Sequence, residues 1–102
     1  MATSWKQGEK LVVAVVGATG AVGVEMLKTL EQRDFPADQI IPLASARSVG
    51  KTVTFKGQEL KVQELKDDSF EGVHLALFSA GGGTSEKFAP MAVKSGCTVV
   101  DN

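Results

Sequence analysis

The chain is 102 residues long, 43% hydrophobic and 23% charged, with a formal net charge of −1. That length fits one small domain or one piece of a larger one, and the near-balance of charge excludes the basic excess that a nucleic-acid surface needs. No apolar run approaches the ~18 residues of a membrane span. Met1 to Lys10 (MATSWKQGEK) has neither the apolar core of a secretory signal nor the arginine of a transit peptide, so the cytoplasm is the expected compartment. With one cysteine, Cys97, and one histidine, His74, neither an internal disulfide framework nor a chain-encoded zinc site is expected.

In chain order, the first element is the apolar run Val12 to Val16, which reads as a strand covered on both faces. It runs straight into Gly17, Gly20 and Gly23, spaced three apart. Val22, Met26 and Leu30 then recur at helical spacing with Glu25, Lys28 and Glu31 between them, so Ala21 to Gln32 reads as an amphipathic helix. Pro36 ends it. Gln39 to Ala44 (QIIPLA) is a second strand, with Pro42 pointing to an edge or an irregularity there. Together these form a βαβ unit.

A polar loop, Ser45 to Lys51 (SARSVGK), comes next. Thr52 to Phe55 and Glu59 to Gln63 alternate around Lys56-Gly57-Gln58 and predict a hairpin turning at the glycine. Lys66 to Glu71 is charged and predicts a short surface helix or turn. Val73 to Phe78 (VHLALF) reads as a third buried strand, and Ser79 to Gly83 as a second glycine-rich turn. A helix capped by Thr84 or Ser85 follows through Lys94, with Pro90 kinking or restarting it and Gly96 stopping it. Thr98 to Val100 reads as a fourth strand. The fold class is α/β: a Rossmann-type, doubly wound, mostly parallel sheet with a β-hairpin insertion. Because the last residues follow directly from a buried strand, the chain is expected to be the N-terminal portion of a longer protein, an incomplete nucleotide-binding domain over residues 1–102.

The strand, glycine turn and helix at Leu11 to Gly23 (LVVAVVGATGAVG) make a corner where orphan helix N–H groups and the positive end of the helix dipole meet, a ready place for a phosphate. The spacing departs from the commoner Gly-x-Gly-x-x-Gly fingerprint, but the flanking strand and helix supply the context that fingerprint requires. The other reading is that the glycines only permit close helix–strand packing. An acidic residue at the end of the second strand would accept from the ribose hydroxyls of NAD. Here Ser45, Arg47 and Ser48 stand instead, with Lys51 behind them. Arginine pairs with a phosphate dianion and serine hydroxyls donate to its oxygens, which points to the 2′-phosphate of NADP. Ser48-Val49-Gly50-Lys51-Thr52 ends like a P-loop, but Ser45 occupies the place of its first glycine and a strand follows, so a P-loop is rejected. Ser79 to Gly83 lies at the carboxyl end of another candidate parallel strand, where dinucleotides gather; an ordinary strand-to-helix turn is the competing reading. Cys97 and His74 are read as structural residues, and no nucleophile–base pair is apparent.

These stretches together resemble the N-terminal NADP-binding domain of the aspartate-β-semialdehyde dehydrogenase family. The resemblance rests on VAVVGATGAVG (Val13 to Gly23), LASARSVGK (Leu43 to Lys51), ALFSAGGG (Ala76 to Gly83) and VVDN (Val99 to Asn102). N-acetyl-γ-glutamyl-phosphate reductases look similar around the first glycines, but the Ser-Ala-Arg-Ser loop fits them less well. The resemblance implies reduction of β-aspartyl phosphate by NADPH to aspartate semialdehyde and phosphate, in lysine, threonine, methionine and isoleucine synthesis, by an enzyme that is usually a homo-oligomer. It implies cofactor contacts at Gly17, Thr19, Gly20, Ala21, Val22 and Gly23, at Ser45, Arg47 and Ser48, and at Ser79, Ala80, Gly81 and Gly82. The family's cysteine nucleophile, histidine acid/base and substrate arginines are all expected after Asn102, and Cys97 does not match the nucleophile's motif. The chain is therefore expected to bind the cofactor without catalysing the reaction. A stand-alone dinucleotide-binding module and a non-catalytic homologue are the competing readings.

Overall fold

A computed structural model describes residues 10–79 and 82–101. Five parallel strands form one open sheet in the order β5-β2-β1-β6-β7, with β1 at Val12–Val16, β2 at Gln39–Ala44, β5 at Gln63–Glu64, β6 at Leu75–Phe78 and β7 at Thr98–Asp101. Helix α1 (Ala21–Gln32) joins β1 to β2, and α2 (Gly82–Lys94) joins β6 to β7. The antiparallel hairpin β3–β4 (Thr52–Phe55, Gln58–Lys61) stands apart from the sheet.

The unbroken apolar run of β1 is explained by what covers it. Val13, Ala14, Val15 and Val16 are all fully buried. Successive side chains of a strand point to opposite faces, and here each face has its own core. Val13 and Val15 pack with Leu27 of α1, Ile40 and Leu77, whereas Ala14 and Val16 pack with Leu43, Ala76, Phe78 and Ala92 of α2. The two helices therefore lie on opposite faces, a doubly wound α/β arrangement. Strand order reverses at β1, with β2 on one side and β6 on the other, and ligands of open α/β sheets bind outside the carboxyl ends of the strands at that switch point.

Pro42 is buried inside β2 yet breaks no ladder bond. Gly17 donates to the Leu43 carbonyl and Leu65 to the Ala44 carbonyl, so alternate residues of β2 face β1 and the outer side. Pro42 belongs to the outer-facing set, and β5 pairs only with Leu43 and Ala44. The missing N–H thus falls where β2 has no neighbour. The hairpin turns on Lys56 (φ 51°) and Gly57 (φ 78°), the paired positive angles of a two-residue turn. Lys56 N–H donates to the Glu31 carboxylate and its ammonium lies 3.3 Å from Asp34, which ties the hairpin to the end of α1. Phe55 is buried in the α1-side core.

Several boundaries differ from the sequence reading. β4 spans Gln58–Lys61, so the turn is one residue shorter than expected, and the two-residue strand β5 has no sequence signal of its own. The stretch 66–71 forms turns, but Phe70 within it is fully buried and stacks on Phe78 with ring centroids 5.8 Å apart. Helix α2 begins at Gly82 and continues through Pro90, so Thr84 and Ser85 lie in its first turn and do not cap it. At its other end Gly96 (φ 92°) donates to Val93 and Cys97 to Ala92, the crossed pair of bonds that ends a helix on a left-handed residue.

The structural readings of Cys97 and His74 hold. Cys97 is 2% exposed, and its thiol donates to the Val73 carbonyl at 3.1 Å. Burial pushes that thiol from 9.0 up to about 11. The unfolded chain gives up this proton from about pH 9 and the folded chain only near pH 11, so the contribution to stability is complete below pH 9 and lost between the two values. Unfolding free energies of wild type and Cys97→Ala from urea titrations should therefore converge over that range, by at most roughly 1.4 kcal/mol per pH unit; a constant difference would refute the raised thiol. His74 Nδ1 accepts from the Val12 N–H at 3.0 Å, holding the amino-terminal ends of β1 and β6 together.

Candidate dinucleotide site

Three segments meet at the carboxyl edge of the sheet. The turn after β1 opens with Gly17 at φ 85°, a left-handed angle that disfavours a side chain. Its N–H and that of Ala18 both donate to the Leu43 carbonyl, at 2.8 and 3.2 Å, which seats the turn on the end of β2. Gly20 follows as the N-cap of α1, with no side chain to cap the helix and no acidic residue in its first turn. The N–H groups of that turn therefore retain their positive end for an outside anion.

The loop after β2 forms a single 3-10 turn, Ala46–Ser48. It comes back towards the glycine turn, so that Thr19 Oγ1 and Ser48 Oγ lie 3.3 Å apart. Between them and the start of α2 is a cavity of about 440 Å³, lined by Gly17 and Thr19, by Ser45, Ala46 and Ser48, and by Leu65, Thr84 and Phe88. Among the described residues no carboxylate lines it. The size and the mixture of apolar wall with a few hydroxyls suit part of a dinucleotide. No cluster of three or more metal-ligating side chains occurs among the described residues.

The residues expected at the cofactor take distinct places. Gly17, Thr19, Ser45 and Ser48 line the cavity. Gly20 and Ala21 lie exposed at the start of α1. Val22, 47% exposed, faces a different groove, with Met26, Leu30 and Val100. Gly23 is buried, and an added Cβ would lie 2.2 Å from the Gly17 carbonyl oxygen, so this glycine serves the corner by close packing. Arg47 is exposed and makes no ion pair among the described residues; its sequence neighbours Ala46 and Ser48 both line the cavity. Ser79 follows β6 and donates to the carbonyl of Val16. Gly82 opens α2, and Ala80 and Gly81 lie outside the described residues.

Leu65, Thr84 and Phe88 are wall residues that sequence reasoning did not assign to the site. Leu65 arrives through β5, which is too short to leave a periodic signal. Phe88 sits one turn beyond Thr84 on α2, a spacing that by itself reads as helix core.

Comparison with known proteins agrees with this geometry. The family model described as semialdehyde dehydrogenase, NAD binding domain, matches residues 12–102. The chain is 63% identical over 95 residues to the aspartate-semialdehyde dehydrogenase of Bacillus subtilis, covering 93% of this chain and 28% of that protein. It is 61% identical over 90 residues to the Legionella pneumophila enzyme of the same name, covering 88% and 26%. The crystal structure of aspartate semialdehyde dehydrogenase II from Vibrio cholerae, complexed with ASA, superposes with a TM-score of 0.87 at 49% identity, over 92% of this chain and 31% of that one. The chain thus spans little more than a quarter of the two sequence relatives. From the strand and glycine turn at its start to β7, it belongs to the semialdehyde dehydrogenase family, as the NAD-binding domain.

Proposed function

We propose that this chain is the cofactor-holding portion of an aspartate-semialdehyde dehydrogenase and that its dinucleotide is NADP. One observation carries the choice of cofactor: the Ser45–Ser48 loop closes on the glycine turn over a cavity with no carboxylate of the described residues in its lining. A ribose diol calls for an acidic acceptor there. Hydroxyls in the lining, with Arg47 on the same loop though not itself in the lining, suit a phosphate dianion. The uncapped start of α1 then serves the pyrophosphate, and the nicotinamide would extend towards the carboxyl end of β6.

In the complete enzyme, hydride from NADPH would reduce β-aspartyl phosphate at its acyl carbon, releasing phosphate and giving the semialdehyde. This assignment is supported by the aspartate-semialdehyde dehydrogenases the chain is similar to. The chain's own residues bind and orient the dinucleotide. Its buried thiol, raised to about 11, is unsuited to be a nucleophile near neutral pH. The enzyme would act as a homo-oligomer in the cytoplasm; no helix among the described residues is long and apolar enough to cross a membrane.

Calorimetric titration of the chain with NADP and with NAD tests the cofactor. NADP should bind more tightly by about tenfold or more, as expected for charge-assisted contacts to the extra phosphate; equal affinities would defeat the reading. A turnover assay with aspartate semialdehyde, phosphate and NADP should show no activity from the 102 residues. Measurable turnover would mean that the catalytic groups lie within this chain.

A further inference from the structure

The expected role of Ser79 was to touch the cofactor, but its hydroxyl is already engaged. The oxygen lies 2.8 Å from the Val16 carbonyl and 3.3 Å from the Gly17 carbonyl, and both contacts require the hydroxyl to donate. Its backbone N–H also donates to Val16, at 2.9 Å. A serine hydroxyl has one proton. Spent on these carbonyls, it cannot also be donated to a phosphate or carboxamide oxygen.

The Gly17 carbonyl is where the corner is held together. It accepts from the Gly20 N–H at 3.1 Å, closing the turn. Gly23 of α1 packs so closely on it that a Cβ there would stand 2.2 Å away. Ser79 approaches it from β6, the neighbouring strand. Turn, helix and adjacent strand therefore meet at one peptide, and that peptide belongs to a glycine at φ 85° with no side chain of its own to restrain it. The β1–β6 register ends at Val16 with Phe78. The Ser79 hydroxyl extends the hold of β6 onto the turn itself.

We propose that Ser79 is a positioning residue for the dinucleotide: by donating to the Val16 and Gly17 carbonyls it fixes the glycine turn, and it does not donate to the cofactor. The proposal rests on the reading of this corner as a dinucleotide site. A brace acts on every ligand that uses the turn, whereas a contact acts only on ligands carrying the contacted group.

The test is titration of wild type, Ser79→Ala and Ser79→Thr with NADP, NAD and 2′-phospho-ADP-ribose, which keeps the pyrophosphate and lacks nicotinamide. Ser79→Ala should weaken all three by the same factor, about threefold to tenfold, the range for one neutral hydrogen bond. Ser79→Thr, which keeps the hydroxyl, should restore them. Loss confined to the nicotinamide-bearing ligands, a change in the ratio of NADP to NAD, or no loss at all would overturn the proposal. Amide hydrogen exchange without ligand gives a second measurement. Protection at residues 17–20 should fall in Ser79→Ala while β7 and the end of α2 stay as in wild type, and unchanged protection at the turn would overturn the brace. If wild type binds none of the three ligands, the cofactor reading fails, and with it the dinucleotide role of Ser79; the exchange result then decides the bracing alone.

Discussion

Replacing Arg47 by alanine is expected to weaken NADP by about tenfold to a hundredfold while leaving NAD within about twofold of its wild-type affinity. The magnitude is that of hydrogen bonds to a charged group, about 1.5–3 kcal/mol. Arg47 is exposed on the 3-10 turn after β2 and makes no ion pair among the described residues, so its removal breaks no ion pair among them. Folding stability should accordingly change by less than about 0.5 kcal/mol. Lysine should rescue only part of the affinity, because an ammonium supplies the charge without the planar fork that matches phosphate. Raising salt should narrow the wild-type preference, since an exposed pair is screened. Calorimetry on the three proteins with both dinucleotides measures all of this. Parallel losses of NADP and NAD in the alanine variant would mean that the loop supports the fold of the site and does not read the 2′-phosphate.

Gly23→Ala should be clearly more damaging to the glycine turn than Gly20→Ala. At position 23 the new carbon would stand 2.2 Å from the Gly17 oxygen and 2.8 Å from the Ala18 Cα, both backbone atoms. Neither can swing aside as a flexible side chain could, so α1 must lift from the corner. The cost is that of overpacking, about 1–3 kcal/mol, which in a domain of this size lowers the melting temperature by several degrees per kcal/mol. At position 20 the nearest atom is 3.5 Å away, an ordinary contact, and φ is −77°. The N-cap favours glycine over alanine, so Gly20→Ala should still cost on the order of 0.5–1 kcal/mol. Thermal melts of the two variants, followed by titration with NADP, should show Gly23→Ala losing both stability and binding. Equal melting temperatures for the two would remove close packing as the role of Gly23.

The glycine pair shows where sequence reading stops. Three glycines at equal spacing after a valine run identify the corner, but spacing says nothing of what each one does. Gly17 is needed for its dihedral angle, Gly23 for the approach of helix to turn, and Gly20 for neither to the same degree. The hairpin offers a similar lesson. Gly57 announces a turn, because glycine accepts a positive φ, but the sequence reading allots it three residues, Lys56 to Gln58, where the structure uses two. The partners that hold the hairpin to α1, Glu31 and Asp34, are distant in sequence and carry no pattern.

What the sequence by itself determined is whatever depends on local periodicity and local backbone limits: the α/β class, α1 and β2 to the residue, the glycine corner, the absence of an acid after β2, and the structural character of Cys97. These follow from runs, spacings and special dihedral preferences that a single stretch of chain contains. Only the tertiary structure decided that β5 completes the edge of the sheet, that Phe70 leaves a charged loop to stack in the core, and that Leu65 and Phe88 wall the cavity. It also turned Ser79 inward onto the Gly17 peptide. Each of these depends on which distant segments are brought side by side, and a two-residue strand or one buried ring in a polar loop leaves no periodic trace by which that meeting could be foreseen.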